Sequence, residues 1–159
     1  MSPLRRIRPA EFERLAAALE AEGLPADDLC YATNRFYALE EDGEVLGYAG
    51  LERREGAALL RSVVVPPERR RSGIGRRLVE AVLTQAAALG HGEVHLLTMT
   101  AAPYFERLGF ERIPRASAPA GVAGSAQFTT LCPGSAVLMR RCLAREPVSA
   151  AQGRRPLPA

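Results

Sequence analysis

The 159-residue chain has no lysine, no tryptophan, two histidines and three cysteines, and each shortage excludes something. Without lysine there is no G-K-[ST] ending, so no Walker A phosphate loop can form. Cys30, Cys132 and Cys142 lie far apart, include no CxxC pair and have only His91 and His95 as nitrogen partners. That argues against a disulfide framework or a zinc site and leaves reduced cysteines packed in the fold. The longest apolar run, Leu15 to Leu19, is five residues, against roughly 20 for a bilayer span. The N-terminal MSPLRRIRPAEFER has early arginines but no apolar core and no small-residue cleavage site. It does not read as a signal peptide, and the cytoplasm is the expected compartment.

What is present is the balance of an ordinary globular domain, 47% hydrophobic and 25% charged. A chain of this length can bury about 70% of its unfolded surface without metal or disulfide support. One domain is expected over residues 1–143. Residues 144–159, with Gly153, Pro156 and Pro158, read as a disordered tail. All 21 basic residues are arginine and the net charge is +3. Five of those arginines fall between Arg69 and Arg77 with no acid among them, which leaves the rest of the chain faintly acidic.

Leu4 to Arg8 alternates like a short edge strand, and Pro9 opens an amphipathic helix with Phe12, Leu15, Ala16 and Leu19 on one face, stopped by Gly23. Three strand-like runs follow, Phe36 to Glu40, Val45 to Glu52 and Ala58 to Val65, with turns at Gly43 and Gly56. Ile74, Leu78, Val82 and Ala86 then recur at i+4 in a helix closed by Gly90. Glu93 to Met99 is a strand, Ala101 to Leu108 a helix and Phe110 to Ile113 a strand, a crossover that suggests a parallel pair. Residues 114–131 have little periodicity, and Ser135 to Leu143 reads as the last strand.

The most informative stretch is LLRSVVV followed by PPERRRSGIGRRL, with Arg70, Gly73 and Gly75 in the spacing R-x-x-G-x-G between a strand and a helix. Glycines there let the backbone approach an anion, while the helix's first-turn N–H groups and positive dipole end face it. A diphosphate suits such a cradle. A solvated basic turn is the plainer alternative. The context adds weight: a valine-rich strand before, an amphipathic helix after, then a strand and TMTAAPYFERLGF.

On these residues the sequence resembles the GCN5-related N-acetyltransferase (GNAT) superfamily over roughly residues 4 to 143. The carriers are Val63 to Val65, the loop from Arg70 to Gly75, and Tyr104-Phe105-Glu106-Arg107-Leu108-Gly109-Phe110. The resemblance implies an α/β (α+β) fold, a mixed central sheet of about seven strands flanked by helices, splayed between strands four and five to hold acetyl-CoA. It implies that the backbone of Val63, Val64 and Val65 hydrogen-bonds the pantetheine arm, and that Arg70, Arg71, Ser72, Gly73, Ile74, Gly75 and Arg76 surround the pyrophosphate. No metal is implied.

In many such enzymes a tyrosine in Y-x-x-x-G-F is the proposed acid for the departing thiolate. Here Phe105 holds that position and Tyr104 precedes it, about 100° away around a helix. Either Tyr104 reaches the sulfur through a shifted helix start at Pro103, or the thiolate leaves unassisted. Glu52 is the candidate base for the amine, the alternative being an exposed strand glutamate. Arg61 is a candidate for a substrate carboxylate, the alternative a solvent-facing strand residue. His91 and His95 read as structural, and Thr98 and Thr100 either line the acyl end or serve the strand.

More narrowly, LLTMTAAPYFERLGF followed by LCPGSAVLMRR resembles amino-acid N-acetyltransferases of the N-acetylglutamate synthase type, and GNAT proteins associated with bacterial arsenic resistance. That implies a small amino acid or amino-acid-like amine as acceptor, with Gln127 and Ser135 touching it and residues 114–133 covering the pocket. A protein N-acetyltransferase and a non-catalytic acyl-CoA-binding module are the competing classes. A nucleic-acid binder does not fit, because the arginines sit at one glycine-containing turn without aromatic interleaving. Homodimers are common among the proteins resembled.

Overall fold

The computed structural model describes residues 4–70, 72–125, 128 and 135–143. Strand β1 (Leu4–Arg6) leads through a 3-10 turn at Pro9–Glu11 into helix α1 (Phe12–Ala21). Strands β2 (Asn34–Glu41), β3 (Glu44–Arg54) and β4 (Ala57–Val64) form an antiparallel meander. Both of its hairpins have two-residue loops, Asp42-Gly43 and Glu55-Gly56, with positive φ at each residue. That is the type I′ geometry matching the right-handed strand twist. Helix α2 (Ile74–Ala88), strand β5 (Glu93–Thr98), helix α3 (Ala102–Arg107) and strand β6 (Glu111–Ile113) follow. A short helix α4 (Ala120–Ala123) precedes strand β7 (Val137–Cys142).

The seven strands form one mixed sheet in the order β1-β2-β3-β4-β5-β7-β6. The parallel neighbours are β4 and β5, joined through α2. Although β5 and β6 run the same way, β7 inserts between them, antiparallel to both. Local periodicity cannot show such an insertion, because it depends on where a later strand returns. Residues 114–123, expected as an irregular connection, contain a 3-10 turn at Arg115–Ser117 and α4.

Each face of the sheet has its own apolar layer. Ile74, Leu78, Val79, Val82, Leu83 and Ala86 of α2 pack with Phe105 and Phe110 onto Tyr37, Leu51, Leu60, Val94, Leu96 and Met139. On the opposite face Leu15 and Leu19 of α1 meet Phe36, Ala38 and Val64, while Val122 of α4 meets Leu59 and Leu138. Directly opposed residues point to the same side of a sheet. The register Asn34–Glu52–Leu59–His95–Arg140 therefore forms one row across the α1/α4 face.

Four buried polar residues lie in or beside that row: Asn34, Glu52, His95 and Arg61. Arg61 forks onto Asp28 of the α1–β2 loop, with Nη1 2.5 Å from Oδ2 and Nη2 2.8 Å from Oδ1. Its guanidinium also stands over the Phe36 ring, 5.5 Å from the centroid. The side chain amide of Asn34 donates to the Asp28 carbonyl at 2.8 Å, fixing the same loop. Two cysteines depart from expectation: Cys30 and Cys142 are free and exposed rather than packed. Cys132 and residues 144–159 lie outside the described residues.

Removing one partner of a buried ion pair strands the other charge, at a cost of about 3–5 kcal/mol. Asp28→Ala should lower unfolding free energy by about that amount, measured by urea denaturation at pH 7. Burial pushes the Asp28 carboxyl up, but Arg61 outweighs it and holds the group below the usual aspartate value. The stabilisation is therefore present above that value and lost as pH falls through the lowered one, so the gap between wild type and variant should close in acid.

Candidate active site

The sheet parts where its two halves follow different neighbours. Strand β5 stays paired with β7 from Glu93 to Thr98, whereas β4 stays with β3 as far as Tyr48↔Val64. Between β4 and β5 the register holds a single parallel pair, Leu59↔His95. Beyond it no further register pair joins β4 to β5, and just past the end of β4 the Val65 carbonyl accepts from Arg70 Nε at 2.8 Å. A bulge contributes to the parting. Two steps of β3, Tyr48 to Gly50, oppose three steps of β4, Val64 to Arg61. The extra β4 residue falls at Ser62 and Val63, and Ser62 is left-handed at φ 57°. A bulge bends its strand and increases local twist.

At the end of the parting lies the start of α2. Gly73 caps it at φ 82°, a conformation that costs other residues roughly 1–2 kcal/mol. The N–H groups of the following turn have no intrahelical acceptor and are directed outward. The arginines around them are less free than their number suggests. Arg69 pairs with Glu44 at 2.6 Å, Arg70 with Glu22 at 2.8 Å and Arg77 with Glu41 at 2.6 Å. Arg76 donates to the Arg107 carbonyl at 3.2 Å. Ser72 Oγ donates to the Arg69 carbonyl at 2.5 Å, and Ile74 is buried in the α2 core. Arg71 lies outside the described residues. The concentrated positive charge read from the sequence is thus partly neutralised by acids brought from the C-cap of α1, from β2 and from β3, and the main-chain donors are the uncompensated part.

Phe105, at the position the family gives to tyrosine, is buried and stacks edge-on to Phe110 at 5.7 Å. Tyr104 turns instead to the start of α2. A Cβ built on Gly75 would overlap the Tyr104 hydroxyl and lie 3.9 Å from Val65 Cγ2. Gly75 therefore makes room for the phenol between the end of β4 and the first turn of α2. Burial raises the Tyr104 pKa against the opposing charges of Arg76 and Arg107, so the phenol keeps its proton at neutral pH, as an acid must.

Glu52 and Arg61 have surroundings unlike those expected. Glu52 is 3% exposed, not a surface glutamate. Arg61 is fully buried and committed to Asp28, with Nε donating to Ser62 Oγ at 3.1 Å and Nη1 reaching Glu52 Oε1 at 3.4 Å. It presents no open fork to a substrate carboxylate. The bulge at Ser62 and Val63, rather than simple alternation, puts Arg61 on the same face as Val64, and nothing local in the sequence reveals that Asp28, 33 residues earlier, meets it there. Because Asp28 takes both ends of the fork, Glu52 keeps only the longer contact. Burial dominates and pushes its pKa up. Above it Gly121 of α4 packs so closely on the Arg54 carbonyl that a Cβ would overlap it.

Thr98 Oγ1 accepts from the Ala101 N–H at 3.0 Å and shapes the turn into α3. His95 is 2% exposed and its Nδ1 has no hydrogen-bond partner among the described residues, while burial lowers its pKa and keeps the ring neutral. Ser135 is exposed, with Oγ 3.8 Å from Met99 Sδ at the end of β5. Gln127 lies outside the described residues. Among the described residues no group of three His, Cys, Asp or Glu side chains is placed to hold a metal ion.

A mixed sheet parted between two parallel strands, with a helix N-terminus at the end of the parting, is the scaffold of an acyl-group transferase. The chain belongs to the GNAT acetyltransferase family, whose domain matches residues 32–112. Its fold is shared with N-acetylglutamate synthase from Neisseria gonorrhoeae, solved with coenzyme A and N-acetyl-glutamate, at 20% identity and a TM-score of 0.75. That match covers 91% of this chain and 36% of the synthase, so the chain spans about a third of the larger protein. A GNAT-family acetyltransferase from Staphylococcus aureus Mu50 matches at 18% identity and a TM-score of 0.71, over 89% of this chain and 98% of that one. Rv2747 from Mycobacterium tuberculosis, solved with CoA and NLQ, matches at 23% and 0.73, over 89% and 99%. No curated protein matches the chain in sequence.

The contact between Gly75 and Tyr104 yields a direct test. Gly75→Ala forces the phenol out and should destabilise the fold by about 1–3 kcal/mol, the range for overpacking. Adding Tyr104→Phe removes the overlapping oxygen and should recover most of that loss. Thermal denaturation of the two single variants and the double variant measures the coupling.

Proposed function

We propose that the protein transfers an acetyl group from acetyl-CoA to the primary amine of a small molecule, an amino acid or amino-acid-like compound, in a ternary complex. The observation that carries the reading is the β4 edge left without a β5 partner beyond Leu59, as far as Val64, and leading to the α2 N-terminus. An extended amide-bearing arm can add to that edge as a strand does. A diphosphate can then meet the amides from Ser72 to Arg76. The neighbours solved with coenzyme A support this choice of donor. The synthase solved with N-acetyl-glutamate, together with the TMTAAPYFERLGF resemblance, supports the acceptor class.

In the proposed reaction the neutral amine attacks the thioester carbonyl, the C–N bond forms and the C–S bond breaks. Glu52 takes the amine proton, through water, and Tyr104 protonates the departing thiolate. Glu52 stands in the same row as Leu59 and His95, where β4 and β5 last pair. At about 4.8 Å per strand it is one strand from the head of the parting. With Arg61 held by Asp28, its role becomes positioning: it fixes Glu52 and closes the α1–β2 loop over the acceptor side. Ser135 and Gln127 remain proposed acceptor contacts.

Thiol release from acetyl-CoA, screened over free amino acids and their phosphinic and arsenic analogues, tests the acceptor class. Activity with one or more of these is expected, and activity confined to peptides would reject it. Because burial raises the Glu52 pKa, kcat/KM should fall on the acid side at a pH above the usual carboxylate range. Glu52→Gln should remove that limb and about 10²–10⁴ of the rate. An unchanged acid limb would assign the base elsewhere.

A further inference from the structure

At the end of the sheet away from the α2 N-terminus is a cavity of about 380 Å³ lined by Arg6, Arg35, Arg53, Arg54, His91 and a single acid, Glu55, among other residues. Arg6 opposes Tyr37, Arg35 opposes Leu51 and Arg53 opposes Ala58. All three arginines are therefore on the α2 face of the sheet, in continuation of the apolar layer that α2 covers. The helix ends at Ala88 and the chain turns at Gly90, so the core gives way there to a basic bowl.

Arg5, Arg69, Arg70, Arg77, Arg112, Arg140 and Arg141 all have carboxylate partners. Among the described residues none pairs with Arg6, Arg35 or Arg53. Arg54 has only Glu52, at 3.8 Å. Arg8, Arg14, Arg76, Arg107 and Arg115 also lack a carboxylate partner among the described residues, so what marks the bowl is that its unpaired guanidinium groups line one cavity. Arg53 is nevertheless held in place: its Nε donates to His91 Nε2 at 3.2 Å, and His91 Nδ1 lies 3.2 Å from the Gly56 carbonyl. A carbonyl only accepts, so the ring proton is on Nδ1, and the imidazole braces Arg53 with its terminal nitrogens uncommitted. The partial charge at the α2 C-terminus, about half an elementary charge, offsets only a fraction of three converging cations.

We propose that this cavity binds a small polyvalent oxyanion, a polycarboxylate or a phosphate monoester, at a site separate from the α2 N-terminus. A 15-residue helix places the two about 22 Å apart. The volume falls in the range of small-ligand sites, about 300–1,000 Å³, and a ligand with two or more anionic groups can engage several guanidinium forks at once.

The test is a titration of the whole protein with citrate and, separately, with inorganic phosphate, followed by amide NMR shifts at Gly56, His91 and Gly73. Saturable shifts at Gly56 and His91, with an affinity that Arg35→Ala with Arg53→Ala weakens at least about tenfold and Arg76→Ala leaves unchanged, are expected. Tighter binding of citrate identifies a polycarboxylate site, and tighter binding of phosphate a phosphate-ester site. Shifts confined to Gly73, an affinity indifferent to the double variant, or no saturation by either anion would overturn the proposal. The shift map is read on the wild-type protein, so the test does not depend on the variants folding.

Discussion

Two adjacent strands can be held to different neighbours, and the site follows from that constraint. Strand β4 is drawn along β3 by a two-residue hairpin and a register reaching Val64, while β5 is drawn along β7 over its whole length. Sharing one register pair, Leu59↔His95, they diverge and leave main-chain groups of β4 facing an opening. An unpaired strand edge attracts another strand. Here it is short, bent by the bulge at Ser62 and bounded by α2, and these features suit it to a ligand arm rather than a second chain.

The α1/α4 face shows how the same sheet can bury charge. Two carboxylates and one guanidinium share the space beneath α1 and α4, and the geometry divides them unequally. Asp28 takes the fork and is held ionised, whereas Glu52 is left with a 3.4 Å contact to Arg61, a 3.8 Å approach from Arg54 at the margin, and a raised pKa. The separation of two carboxyl pKa values by environment is how a fold equips one of them as a base near neutrality. The pair with Asp28 also ties the α1–β2 loop to β4, so stability and the proposed chemistry depend on one guanidinium.

Much of this was legible in the residues. The i+4 series from Ile74 to Ala86 marked α2, the glycines at 43 and 56 marked both hairpins, and R-x-x-G-x-G marked the strand-to-helix junction. Contacts across long sequence separations were not legible. Glu22, Glu41 and Glu44 come back to neutralise the arginine turn, Asp28 comes back to claim Arg61, and β7 enters between β5 and β6. Each is fixed by tertiary packing, which leaves no local period. Tyr104 is intermediate: its offset from the usual position was visible, but the space that Gly75 makes for it appeared only once α2 and α3 were packed together.

The central claim is that the open edge of β4 accepts the cofactor arm through its main chain. Residue-resolved amide hydrogen exchange, with and without acetyl-CoA, tests it most directly. The account predicts that amides between Val63 and Val65 directed away from β3 exchange rapidly in the free protein and slow by at least about tenfold when acetyl-CoA is bound, together with those from Gly73 to Arg76. Protection that appears elsewhere and leaves the β4 edge unchanged would contradict it.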